Sequence, residues 1–142
     1  MSGKLETRIL KDLPPSAILP IYQSAGWWKE DYGLEFLSQI VRESFSFAAT
    51  FDGEKLVGIG RALSDACSDA YIQDVAVLPE YRGKGVGSQI IKALIEDLQK
   101  HGVDWIALVG EPGTEAFYEK LGFKAMDGYI PMRYTAADRP EK

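Results

Sequence analysis

Residues 82–88 read RGKGVGS, and residues 89–100 continue as QIIKALIEDLQK. The first stretch sets three glycines at alternate positions, a cost in backbone entropy that regular elements avoid. The second, with Val86 before it, brings Ile90, Ile91, Leu94, Ile95 and Leu98 onto one helical stripe, so a long amphipathic helix follows the loop. Upstream, AYIQDVAVL at 70–78 reads as a strand ended by Pro79. Downstream, Gly102 is placed to end the helix, and DWIALVG at 104–110 reads as the next strand. Strand, helix, strand in one sheet implies a parallel pair joined by a right-handed crossover.

The flanks add antiparallel neighbours. LETRIL at 5–10 alternates as an opening strand, and Pro14 and Pro15 stop it. SAILPIYQSAGWW reads as a first helix interrupted at Pro20, and GLEFLSQIVRES at 33–44 as a second. FSFAATF at 45–51 and KLVGIGRAL at 55–63 flank a DGE turn, the pattern of a hairpin. TEAFYEKL at 114–121 is a short helix, and FKAMDGYIPMRY reads as a closing hairpin. The order predicts an α/β fold in three layers, with helices on both faces of a mixed, mostly antiparallel sheet.

The chain of 142 residues suits one domain, 1–142, with an ordered core over about 4–135 and a mobile tail over 136–142. Apolar residues make up 46%, enough for one good core. No apolar run reaches the roughly 18 residues of a membrane span. MSGKLETRIL has neither an apolar block nor a cleavage site, so no signal peptide is expected. Cys67 and His101 are each the sole residue of their type, which excludes an internal disulfide and a zinc cluster of His and Cys; no metal is expected. A reducing, cytoplasmic setting fits. The formal charge of −5 opposes nucleic-acid binding and favours cationic partners such as amines.

A glycine loop opening a helix offers unpaired backbone N–H groups and the positive end of the helix dipole, a seat for phosphate. Arg82 and Lys84 add positive charge at the same place. A Walker loop requires GxxxxGK[ST], and here Lys84 precedes Gly85 without the earlier spacing. The dinucleotide fingerprint requires GxGxxG, and here the spacing is GxGxG with no ribose-binding acid on the next strand.

A third pattern matches: Arg/Gln-x-x-Gly-x-Gly/Ala, as Arg82, Gly85 and Gly87, preceded by DVAVLPEY. This resembles the acetyl-CoA signature of the GNAT superfamily of acyltransferases. FYEKLGF at 117–123 resembles that family's second block, and the likeness extends over about 4–135. The resemblance implies acetyl-CoA as co-substrate. Its pyrophosphate would lie on Arg82, Gly83, Lys84, Gly85, Val86, Gly87 and Ser88, and its pantetheine would pair with the backbone of Val75 and Val77 on a splayed strand edge. Tyr118 matches the family's tyrosine near the thioester sulfur, a general acid for the leaving thiolate; the alternative is a core residue packed with Phe117. Phe117 and Glu111 fall on the cofactor side, although Glu111 departs from the Asn that many relatives carry.

The general base is not given by the resemblance. Asp74 is the nearest acid on its strand and could bind the ammonium or relay its proton; the other reading is a structural hydrogen-bonder, since Asp is unusual in strands. The acceptor region implied by the family is IYQSAGWWKEDYG, and Trp27, Trp28 and Tyr32, with Tyr71, are candidate walls for an amine with an apolar or aromatic body. The other reading is that one tryptophan fills the core and the other anchors a helix end. GRALSD, IQDVAVLPEYRGKGVG and FYEKLGF also resemble the plastid-type serotonin N-acetyltransferases and their prokaryotic relatives. The resemblance implies acetyl transfer by direct attack to a small primary amine, with protein acetylation and a silent acyl-CoA sensor as alternatives, and a homodimer as one assembly.

Overall fold

A computed structural model describes residues 4–135, and the expected tail, 136–142, lies outside them. The chain divides into two units, Met1–Leu108 and Val109–Lys142. The first carries β1 (Leu5–Ile9), α1 (Pro15–Ser24), α2 (Glu35–Glu43), β2 (Ser46–Asp52), β3 (Lys55–Ser64), β4 (Asp69–Val77), α3 (Val86–Lys100) and β5 (Trp105–Leu108). The second carries α4 (Glu115–Glu119).

The five strands form one sheet in the order β1-β2-β3-β4-β5. The first four are antiparallel neighbours, and β4 and β5 are parallel, as the crossover requires. The alternation of β3 explains the layers. Val57 and Ile59 join Ile18 and Ile21 of α1 and Leu37 and Val41 of α2 in one buried cluster. Gly58 and Gly60, between them, face α3: a Cβ on Gly60 would stand 2.5 Å from Ile90 Cγ2, and one on Gly58 would stand 2.7 Å from Val86 Cγ1. Both glycines let α3 lie close against the sheet, so they set the depth of its N-terminus. The fold is the mixed, three-layer α/β arrangement expected.

Two boundaries differ from expectation. The first helix ends at Ser24, with Ala25 N–H on Ile21 O at 3.0 Å, so Trp27 and Trp28 lie in the connection after it. The closing hairpin over 123–134 is absent: no strand follows β5 among the described residues. A turn at Met126–Tyr129 is closed by Tyr129 N–H on Met126 O at 3.1 Å, but the segment after it stays unladdered. A lone two-stranded hairpin is marginal in water, and Pro131 has no N–H to give to a ladder.

Candidate acyl-CoA site

The loop expected to seat an anion is built from local backbone chemistry. A 3-10 turn at Pro79–Tyr81 leads from β4 into the loop. Gly83 and Gly85 adopt φ of +76° and +82°, the left-handed region that glycine enters without a Cβ penalty. Gly85 is the N-cap of α3 and has no side chain to cap it, so the first N–H groups of α3 lack the usual side-chain acceptor. Gly87 differs from the other two: it lies within the first turn of α3. Arg82 Nε donates to Val77 O at 3.1 Å, which ties the loop to the end of β4. Tyr81, which sequence reasoning passed over, is the post beside the loop. Its hydroxyl donates to Asp52 Oδ2 at 2.6 Å, and Lys84 and Lys55 lie over its ring at 5.8 and 5.4 Å.

The strand edge expected for pantetheine is also present. β5 pairs with β4 only from Asp69 to Ile72, so Gln73–Val77 extends past it. An extended amide chain can add to such an edge as a strand would. Val75 and Val77 both lie on this stretch.

Within it β4 carries a bulge. Gln73 is opposite Arg61 and Ala76 is opposite Ile59, so Asp74 and Val75 together face Gly60. Asp74 takes φ of +55°, left-handed for a non-glycine residue. The extra residue shifts the side-chain alternation by one. Val75 Cγ2 would then meet a Cβ on Gly60, on the α3 side, at 3.4 Å, while the Asp74 carboxylate is turned to the α1 side. There Oδ2 of Asp74 accepts from the Tyr22 hydroxyl at 2.9 Å and from Arg61 Nε at 2.8 Å. The side chains of Arg61 and Asp74 are only 14% and 9% exposed, so this is an ion pair largely out of water. Arg61 also reaches Ser44 Oγ at 3.4 Å, and Ser44 in turn caps Ile40 O at 2.7 Å. The Tyr22 phenol is pushed up well above its ordinary value, by burial first and by the charge and hydrogen bond of Asp74 next. It remains a donor across the ordinary pH range. Arg61 was missed by sequence reasoning. An arginine at an inward position of KLVGIGRAL was the available signal, because a charge there must have a partner.

The acceptor candidates divide. Trp27 and Trp28 pack partly buried against the α1 and α2 cluster. Trp27 meets Tyr22 edge-on at 5.3 Å, and Trp28 meets Tyr32 edge-on at 5.8 Å. Tyr32 remains exposed and stacks on Phe36 at 5.0 Å. Tyr71 is exposed on β4, paired across the sheet with exposed Leu63. His101 follows the last turn of α3, with Nδ1 2.8 Å from Asp97 O.

In the second unit, Tyr118 lies on α4 between Phe117 and Phe123, with ring centroids at 4.9 and 5.7 Å. Its hydroxyl is pushed up by burial first and by Glu111 next, so it holds its proton at neutral pH. Glu111 O accepts from Thr114 Oγ1 at 2.6 Å and so organises the turn into α4.

A glycine loop on the N-terminus of α3, beside a strand edge that outruns its neighbour, is the arrangement on which the family assignment turns. The Acetyltransferase (GNAT) family model matches residues 11–123. The chain belongs to the GNAT family. GNAT relatives include GCN5-related N-acetyltransferase 2, chloroplastic, of Arabidopsis thaliana, 31% identical over 113 residues, 75% of this chain and 44% of that protein. Serotonin N-acetyltransferase 2, chloroplastic, of Oryza sativa subsp. japonica is 39% identical over 80 residues, 56% of this chain and 40% of that one. The chain thus spans less than half the length of these curated relatives. Among solved structures, a GNAT family protein of Streptococcus pneumoniae superposes with a TM-score of 0.82 at 24% identity, over 95% of this chain and all of that one. The aminoglycoside N-acetyltransferase AAC(6')-Iy in complex with CoA superposes at 0.75 and 17% identity, over 96% of this chain and 98% of that one. These superpositions speak to the fold.

Proposed function

We propose that the chain is an acetyl-CoA-dependent N-acetyltransferase acting on a small primary amine, with an arylalkylamine as the favoured class, and that 1–142 works as one domain. The observation that carries this reading is the pairing of two features: left-handed Gly83 and Gly85 at the side-chain-free cap of α3, and the stretch Gln73–Val77 of β4 that runs past the end of β5. The residues fit acetyl-CoA. Backbone N–H groups from Arg82 to Ser88 would hold the pyrophosphate, and Val75 and Val77 would pair with pantetheine. The CoA complex of the aminoglycoside enzyme supports the same ligand on this fold.

Bound acetyl-CoA supplies an activated thioester. The amine must first lose a proton, since alkylammonium groups titrate near ~10. Asp74 would take the ammonium side, either holding the cation or passing its proton to water. The amine nitrogen would then bond to the acetyl carbon, the carbon–sulfur bond would break, Tyr118 would give its proton to the departing thiolate, and the proton shed by the acylated nitrogen would return through water to the Tyr118 oxygen. Its hydroxyl keeps its proton at neutral pH and so has one to give. Aromatic side chains along 22–36 and the exposed Tyr71 would border the amine's apolar body, and the serotonin N-acetyltransferase relationship supports that class. No helix among the described residues is long and apolar enough to cross a membrane. Two matched relatives are named chloroplastic, so we place the activity in a reducing compartment, cytoplasm or plastid.

The test is release of CoA thiol from acetyl-CoA against arylalkylamines, polyamines, amino sugars, and peptides with a free lysine or N-terminus. Turnover on one small-amine class, lost in Tyr118→Phe, is the expected result. Turnover on peptides alone transfers the reading to protein acetylation. Acetyl-CoA binding without turnover on any acceptor transfers it to a sensor.

A further inference from the structure

The bulge at Asp74 is an unusual choice of residue. A bulge that needs a left-handed backbone normally takes glycine, because a Cβ in that region costs about 1–2 kcal/mol. Here an aspartate takes φ of +55° and spends its carboxylate on side chains from two other elements, Tyr22 of α1 and Arg61 of β3. The same bulge decides which way the edge of β4 faces. Without it, the alternation would run unbroken from Gln73, and Asp74 would turn toward the apolar face occupied by Ile90 and Leu94.

We propose that Tyr22 and Arg61 are positioning residues: by clamping Oδ2 of Asp74 they hold residue 74 left-handed, and so fix the backbone of Gln73–Val77 that seats the acetyl end of acetyl-CoA. The inference rests on the cofactor reading above. It adds a physical link that the family assignment does not supply. Tyr22 touches Asp74 through its hydroxyl and packs its ring in a T-shaped contact with Trp27, so one side chain joins the aromatic connection after α1 to the cofactor edge of β4. The phenol keeps its proton, which makes it a constant donor rather than a titrating one. Arg61 supplies the charge that makes a largely buried carboxylate tolerable.

The experiment has two independent readouts on the whole chain. The first is amide hydrogen exchange of Gln73–Val77 without ligand. The second is the dissociation constant for acetyl-CoA and, separately, for CoA. Tyr22→Phe keeps the ring on Trp27 and removes only the hydroxyl. It is expected to speed exchange of these amides about tenfold, to weaken acetyl-CoA about fivefold, and to leave CoA within about twofold. Arg61→Lys retains a cation and is expected to fall between wild type and Arg61→Met. Because Arg61→Met removes the cation of a largely buried ion pair and so also tests folding, the substitutions of Asp74 itself give a second route. Asp74→Gly takes φ of +55° freely and should keep the preference for acetyl-CoA over CoA that Asp74→Ala loses. Unchanged exchange in Tyr22→Phe overturns the clamp. So does equal weakening of acetyl-CoA and CoA, or equal behaviour of Asp74→Gly and Asp74→Ala. A wild-type chain that binds neither ligand overturns the cofactor reading instead, and the exchange readout still judges the clamp.

Discussion

Replacing Gly85 by alanine separates what the loop costs the fold from what it gives the ligand. Gly85 holds φ of +82°, and a Cβ built there meets nothing within 4 Å. The free protein therefore suffers no clash, only the left-handed penalty of about 1–2 kcal/mol. With 142 residues and about 2.1 cal/mol/K of unfolding entropy per residue, that lowers Tm by about 3–7 °C. On the proposed site, the open space around the new methyl is where the pyrophosphate would approach the N–H groups of α3. Acetyl-CoA affinity should fall at least tenfold, about 1.4 kcal/mol. Gly102→Ala is the matched control. It has φ of +85°, also meets nothing within 4 Å, and lies just past the opposite end of α3. It should lower Tm as much and leave acetyl-CoA binding alone. Scanning fluorimetry gives the Tm values, and titration calorimetry the affinities. Equal affinity in Gly85→Ala and wild type, or equal losses in both variants, would refute the loop as the pyrophosphate seat.

Tyr118→Phe should lower kcat by about 100-fold or more, the scale of a general acid, with little change in KM for acetyl-CoA; parallel loss of both would make the residue structural. Gly60→Ala drives a methyl to 2.5 Å from Ile90 Cγ2 and should cost about 1–3 kcal/mol by overpacking, read as a lower urea midpoint. Alkaline stability should carry the mark of Tyr22. Its folded proton affinity is raised above the ordinary 10.0, so between those values the unfolded chain has lost a proton that the folded one keeps. Stability from this group is complete below pH ~10 and falls above it, by at most about 1.4 kcal/mol per pH unit, a slope that Tyr22→Phe should lessen in urea titrations.

The layered sheet was legible because each signal was local. Hydrophobic period marked α3, the DGE turn marked the β2–β3 hairpin, and Gly102 ended α3 as read, with Val103 N–H returning to Leu98 O at 3.0 Å. The glycine loop was legible for the same reason: its spacing placed the left-handed turn at the start of α3. The clamp on Asp74 was not. Tyr22, Arg61 and Asp74 are far apart in sequence, and their meeting depends on a one-residue bulge that no period announces. The role of Gly58 and Gly60 was equally hidden, because it exists only once α3 lies on them. The closing hairpin failed in the other direction. Its local pattern was strand-like, but pairing needs a neighbour, and a pattern cannot supply one.

The proton inventory bears on whether the acetyl group passes through the protein. A thiol intermediate would need Cys67 as a thiolate, since the thiolate is the nucleophile. Cys67 is exposed in the turn between β3 and β4, where its thiol is pushed up by hydrogen bonding to Asp65 first and by that carboxylate's charge next. Asp65 is itself fixed there, with Oδ1 accepting from Cys67 N–H at 3.0 Å and Ser68 N–H at 2.8 Å. The local field therefore keeps the one thiol protonated, the opposite of what nucleophilic catalysis arranges. Direct attack of the amine on the thioester needs no such group. Cys67→Ala should retain wild-type turnover, and rapid mixing with acetyl-CoA in the absence of amine should release no burst of CoA. A stoichiometric burst that disappears in Cys67→Ala would overturn direct transfer and show that the turn, not the free amine, takes the acetyl group first.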